Sequence, residues 1–176
     1  MLGAAGAILC LAAGTALGIH MRDRRQARLR LLQCEADVLA GMRLLLVQER
    51  LAMGELLTEC AALVPKQAYT RQFGERLRKA AEALAGNPLN GVAGAYAAAC
   101  GLTPMPWEQA EEKDALNQLF LQLGNGTAAM REQAVATCLR RLKPVTERAQ
   151  QRAEEGGKLC MQLGMLLGLM AGIALW

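Results

Sequence analysis

Few residues in this chain could carry chemistry. Its cysteines are Cys10, Cys34, Cys60, Cys100, Cys138 and Cys160, and its one histidine is His20. A zinc or disulfide framework needs clustered ligands, and no two of these cysteines form a Cys-x-x-Cys pair. Cysteines spread in this way read as small apolar packing residues. A Cys nucleophile paired with His20 would need that lone imidazole, placed where an apolar stretch ends, to meet a buried thiol. The chain contains no serine, so a Ser-His-Asp triad cannot be assembled. Gly157-Lys158 is not a phosphate-binding loop, because Arg152 stands where the upstream glycine belongs and Leu159 where Ser or Thr should follow. Glu111, Glu112 and Asp114, like Glu154 and Glu155, have basic residues nearby and read as a solvated face. The chain is therefore expected not to be an enzyme, with no catalytic, cofactor or metal residue assigned. Any energy for work must come from another protein.

The arginines say more. Arg22, Arg24, Arg25, Arg28 and Arg30 surround a single acid, Asp23, and this cluster alone accounts for the formal net charge of +4. It follows an uncharged apolar stretch, so it reads as a topology signal and a phospholipid contact. Nucleic acid is not the expected partner, since no aromatic residue is interleaved with these arginines to stack bases.

The elements that would position these residues begin at the ends. Leu2–Ile19 carries no charge and, at about 1.5 Å per residue, reaches roughly 27 Å, just enough to cross a hydrocarbon core. A secretory signal would carry its positive charge before the apolar run, whereas here the arginines follow it, so a retained anchor is expected. Leu159–Trp176 is a second uncharged stretch, preceded by Lys158 and ending in an interfacial Trp. A buried C-terminal helix of the middle domain is the other reading of that stretch. The reading divides the chain into an anchor at 2–19, a helical-bundle domain at 20–158 and a second transmembrane helix at 159–176. The flanking arginines and Lys158 put the middle domain in the cytoplasm and both ends outside. Gly14 and Gly18, and Gly164, Gly168 and Gly172, stand four apart and give each end a smooth stripe for helix packing.

The middle is expected to be all-α. Aromatic residues make up 3% of the chain against 53% hydrophobic, and runs of β-branched residues are rare. Leu29, Leu32, Ala36, Leu39, Met42 and Leu46 recur at helical spacing. They predict one long helix reaching about Val64, stopped by Pro65, with Gly41 and Gly54 as weak points. A second helix is predicted over 66–85, a short third over 89–100 and a fourth over 107–123, with Leu116, Leu119, Phe120 and Leu123 inward. Thr127 caps a fifth, in which Ala128, Val135, Cys138, Leu142, Val145, Ala149 and Ala153 keep helical spacing, and Val135, Leu139 and Leu142 are expected in the core. Pro144 predicts a kink or a new start in it, and Gly156-Gly157 a hinge before the second anchor.

This order of anchor, arginine-rich helix, helical domain and terminal Lys158, Leu163, Gly164 and Gly168 resembles the stage III sporulation protein AB family across essentially the whole chain. Cys160 and Met161 depart from that family's aromatic-basic pair. Gly126 and Gln133 match part of a second feature, with Ala129 at its acidic place, and Tyr96 matches an aromatic position. The resemblance implies a subunit of a sporulation channel complex in the mother-cell membrane around the forespore. Its soluble part would be similar to the cytoplasmic helical domains of the type II secretion platform protein. It also implies work with the complex's AA subunit, a secretion-type ATPase supplied in trans, and leaves self-association open. No cofactor is implied. The alternative is a generic membrane-tethered helical adaptor unrelated to sporulation, which would lack a neighbouring run of secretion-like genes.

Overall fold

A chain rich in Ala and Leu and poor in β-formers should fold as helix, and the computed structural model does so. Its order is α1 (Leu2–Gln48), α2 (Met53–Leu63), α3 (Arg71–Gly86), a 3-10 turn at Pro88–Asn90, α4 (Gly91–Leu102), α5 (Ala110–Gly124) and α6 (Ala128–Ala174). The structure describes residues 2–48, 51–105 and 108–174. At 2–12, 14, 17, 48, 156–165, 167–169 and 171–174 it describes the helix path alone. No strand occurs among the described residues.

The chain forms two compact units, Arg30–Thr146 and Met1–Leu29 with Glu147–Trp176. Within the central unit α2 packs on α3, α3 on α4 and α4 on α5. Its core joins Leu31, Leu39 and Met42 of α1 to Leu56, Phe73, Leu77, Tyr96, Leu116, Phe120, Val135 and Leu142. Leu32, Leu39, Leu46, Leu116, Phe120, Val135 and Leu142 are buried as the spacing predicts, and Leu139 is half-buried.

The long first helix is two. The helical register breaks between Gln48 and Met53, where Ala52 is extended and its N–H is accepted by the Glu55 carboxylate at 3.4 Å. Periodicity alone missed this, because apolar spacing continues across the break. Gly41 is not a weak point, since α1 runs through it; a Cβ there would sit 2.8 Å from the terminal Cδ1 of Leu63, which would have to shift. Residues 66–70 form a turn before α3, held by the Thr70 hydroxyl donating to the carbonyls of Pro65 and Gln67. Gly91 opens α4 at φ 64, a conformation that excludes a Cβ without strain. The fourth predicted helix begins later than expected, at Ala110; Trp107 lies outside the described residues. Thr127 Oγ1 accepts the Met130 N–H at 3.4 Å, the expected cap of α6. That helix continues through Pro144 and through Gly156-Gly157, so neither a new start nor a helix break occurs there.

The two expected transmembrane helices find no support in the structure. Among the described residues no helix is long and apolar enough to cross a membrane. Both apolar ends form parts of 47-residue helices. Most side chains of the two stretches lie outside the described residues.

Candidate functional site

The chemistry expected at the basic flank is laid out along α1. Arg22, Arg24 and Arg30 are exposed, and Arg25 and Arg28 are half-buried. The guanidinium of Arg30 lies 5.8 Å from the Tyr69 ring centroid, within cation–π range. This pair edges a groove of about 430 Å³ between α1 and the α2–α3 turn, lined also by Gln33, Asp37, Gly41 and Thr70. The side chain of Lys158 lies outside the described residues. Gly14, Gly18, Gly164, Gly168 and Gly172 are all helical, and Gly18 is buried. The surroundings of the other four glycines lie outside the described residues.

Sequence reasoning missed the most developed polar centre. Arg76 on α3 is fully buried, and its Nη1 and Nη2 donate to the two Glu108 carboxylate oxygens at 2.7 and 3.1 Å. Nη2 also donates to the Thr103 carbonyl at 3.0 Å. The guanidinium carbon stands 6.0 Å from the Tyr96 ring centroid, and Tyr96 in turn stacks on Phe120, with centroids 3.7 Å apart. Burial works against the charge on Arg76, but the hydrogen bonds it donates to the Glu108 carboxylate, with that carboxylate's charge, outweigh it and hold its pKa above the ordinary value. Burial pushes the Tyr96 hydroxyl well up, so it stays neutral. The centre ties the segment between α4 and α5 onto α3. No periodic pattern announces an arginine on an apolar helix face, and only the flanking Phe73, Leu77 and Ala80 hint at it.

Glu112 corrects the solvated-face expectation. It is fully buried and its carboxylate accepts the Gln109 N–H at 3.4 Å, fixing the first turn of α5, whereas Glu111 and Asp114 are exposed.

The thiols in the central unit pack as expected. Cys34, Cys60 and Cys138 are buried and free, and Cys100 is half-buried. Burial pushes Cys34 up to about 11 and Cys60 and Cys138 up to about 12, so they are protonated and poorly nucleophilic. Cys10 and Cys160 fall among the side chains not described. In a chain retaining only Cys60 and Cys138, labelling by a thiol reagent at pH 8 should be about a thousandfold slower than for a free thiol. It should rise to the free rate in denaturant, and rapid labelling of the folded chain would contradict their burial. No group able to hold a metal ion occurs among the described residues.

The geometry thus offers grooves and a rigid scaffold, with its buried charges spent on fixing loops. Residues 3–176 match the family described as stage III sporulation protein AB. The chain belongs to the stage III sporulation protein AB family. No curated protein and no solved structure matches it. Family membership makes this a sporulation protein. Tyr96 falls at the buried cation centre and Gly126 at the α5–α6 turn.

Proposed function

We propose that the chain is a structural membrane subunit of a sporulation channel complex, working at the mother-cell membrane around the forespore and coupled to a separate ATPase subunit. The observation that carries this reading is the family match over 3–176. The generic adaptor is disfavoured by the same match. A second support is the use of polar chemistry in the central unit: Arg76, Glu108 and Glu112 fix loops and helix starts, and the buried thiols are protonated. That arrangement suits a scaffold better than an active site.

Membrane attachment is the part of the proposal that rests on sequence, namely the two uncharged ends and the arginines after Ile19. Reporter fusions test it. A reporter fused near Gly86 should be active only in the cytoplasm, and activity outside the cell would overturn the topology. In this reading Gly164, Gly168 and Gly172, with Gly14 and Gly18, admit a neighbouring helix closely. Gly168→Leu should keep the chain in the membrane fraction while co-purification with the ATPase-containing complex falls about tenfold or more. Normal recovery of the complex, or loss of the chain from the membrane, would reject the stripe as an assembly contact.

A further inference from the structure

The sequence holds two Asn-Gly pairs, Asn90-Gly91 and Asn125-Gly126, and the fold treats them differently. In such a pair the side-chain amide converts readily to an acid, because glycine has no Cβ to shield its own backbone nitrogen. That nitrogen attacks the asparagine Cγ, its proton passes to solvent base, and ammonia leaves as the C–N bond of the amide breaks, closing a succinimide. Water then opens the ring at either carbonyl, giving aspartate or, where the main-chain bond is the one broken, isoaspartate. The balance is amide plus water to carboxyl plus ammonia, and no other reactant is needed.

Ring closure asks two things of the backbone. The glycine N–H must be free to lose its proton, and the asparagine Cα–C bond must turn until that nitrogen eclipses the Cβ. All four residues are exposed or half-buried, so access of water does not separate the two sites. At Asn90 the backbone opposes both demands. This residue joins the 3-10 turn to α4 at φ −68 and ψ −14, its own N–H donates to the Asn87 carbonyl at 3.3 Å, and the Gly91 N–H donates to the Pro88 carbonyl. Turning ψ there breaks the Gly91 bond and displaces the first turn of α4. Asn125 instead follows the end of α5 in an extended conformation, at φ −123 and ψ 106. Gly126 stands beyond it at φ 141, between α5 and α6, and its N–H makes no hydrogen bond among the described residues. Rotation about Asn125 therefore costs no helical hydrogen bond.

We propose that Asn125 is a site of spontaneous deamidation, at which the folded chain acquires a carboxylate, and that the fold protects Asn90 from the same reaction. Asn125 lines a groove of about 450 Å³ with Gln122, Ala129, Met130, Gln133 and Ala134, none of them charged. The product carboxylate is the first charge in that lining. It arises just before Ala128, where the N–H groups opening α6 and the helix dipole favour an anion, so the central unit keeps its stability. Isoaspartate also lengthens the α5–α6 connection by one main-chain carbon. The inference is independent of the sporulation reading.

The test incubates the purified full chain at mildly alkaline pH, folded and in denaturant, and follows both asparagines by peptide mass spectrometry. Isoaspartate is scored separately by its reactivity with isoaspartate methyltransferase. The quantity compared is each site's rate in the folded chain divided by its rate in denaturant, which removes the effect of neighbouring sequence. The ratio for Asn125 should exceed that for Asn90 by about tenfold or more, and isoaspartate should appear with it. Asn125→Gln should abolish the signal at that site, and Asn125→Asp should reproduce the charge with the melting temperature unchanged. A smaller margin between the two ratios, or an Asn125 that stays an amide while the denatured chain converts, would overturn the proposal.

Discussion

Arg76→Met should destabilise the central unit by about 3–5 kcal/mol, among the largest effects of any single substitution in it. The side chains of Arg76 and Glu108 are 1% and 8% exposed. Removing the guanidinium therefore leaves a buried carboxylate with both of its charge-assisted bonds lost. The Thr103 carbonyl loses its donor in the same step. An intact pair contributes less than this figure, because desolvating two charges offsets much of their attraction. The two statements separate in a double variant. Arg76→Met with Glu108→Gln should recover a substantial part of the loss, and thermal or urea unfolding of the four proteins in the cycle measures the coupling. A melting temperature unchanged in Arg76→Met would mean that the segment between α4 and α5 is not held by this pair. The pair is also what keeps that segment short of the solvent, so hydrogen exchange at Thr103 and Met105 should rise in the single variant before the helices themselves unfold.

The contrast between this centre and the rest of the core shows what a sequence carries on its face. The inward rows of α5 and α6 were legible because apolar residues at helical spacing have one economical explanation, burial of that row. Leu116, Phe120, Val135 and Leu142 are accordingly at or below 1% exposed. Arg76 was not legible, since its burial depends on Glu108, which lies 32 positions away and comes alongside only after α4 has turned back on α3. Glu112 was misread for a related reason. In a run of charged residues the one that caps its own helix looks like its neighbours until the Gln109 N–H is placed against it. The break at the extended Ala52 was hidden because the apolar rhythm of α1 passes into that of α2, and the nearest signal, Gly54, stands just inside α2. Family membership was legible from order and both ends together.

Leu39→Asp should abolish folding of the central unit at neutral pH. Leu39 is 1% exposed on the core-facing row of α1, between Val38 and Met42 and level with the fully buried Glu35 one turn before it. The substitution removes a large apolar side chain, at a cost of about 2–5 kcal/mol, and adds an ionisable carboxyl in its place. An ionised carboxylate there would lack a cation to pair with, and a penalty of several kcal/mol on top of the lost packing exceeds the whole margin of a typical domain. The sign of the pH dependence follows from the same desolvation. Burial raises the folded-state pKa of the new carboxyl above its unfolded value, so the folded state binds the proton more tightly, and the added penalty grows as pH rises above the unfolded pKa of about 3.9. Relative to the parent chain measured at each pH, the variant should therefore recover part of its deficit between about pH 7 and pH 5, as the carboxyl becomes neutral. Leu39→Asn, which is polar but cannot ionise, should be less damaging at pH 7 and show no such recovery. Circular dichroism across temperature and pH distinguishes the three chains. A folded Leu39→Asp variant with parental stability would show that this row of α1 faces solvent, and with it the arrangement of the whole core would have to be redrawn.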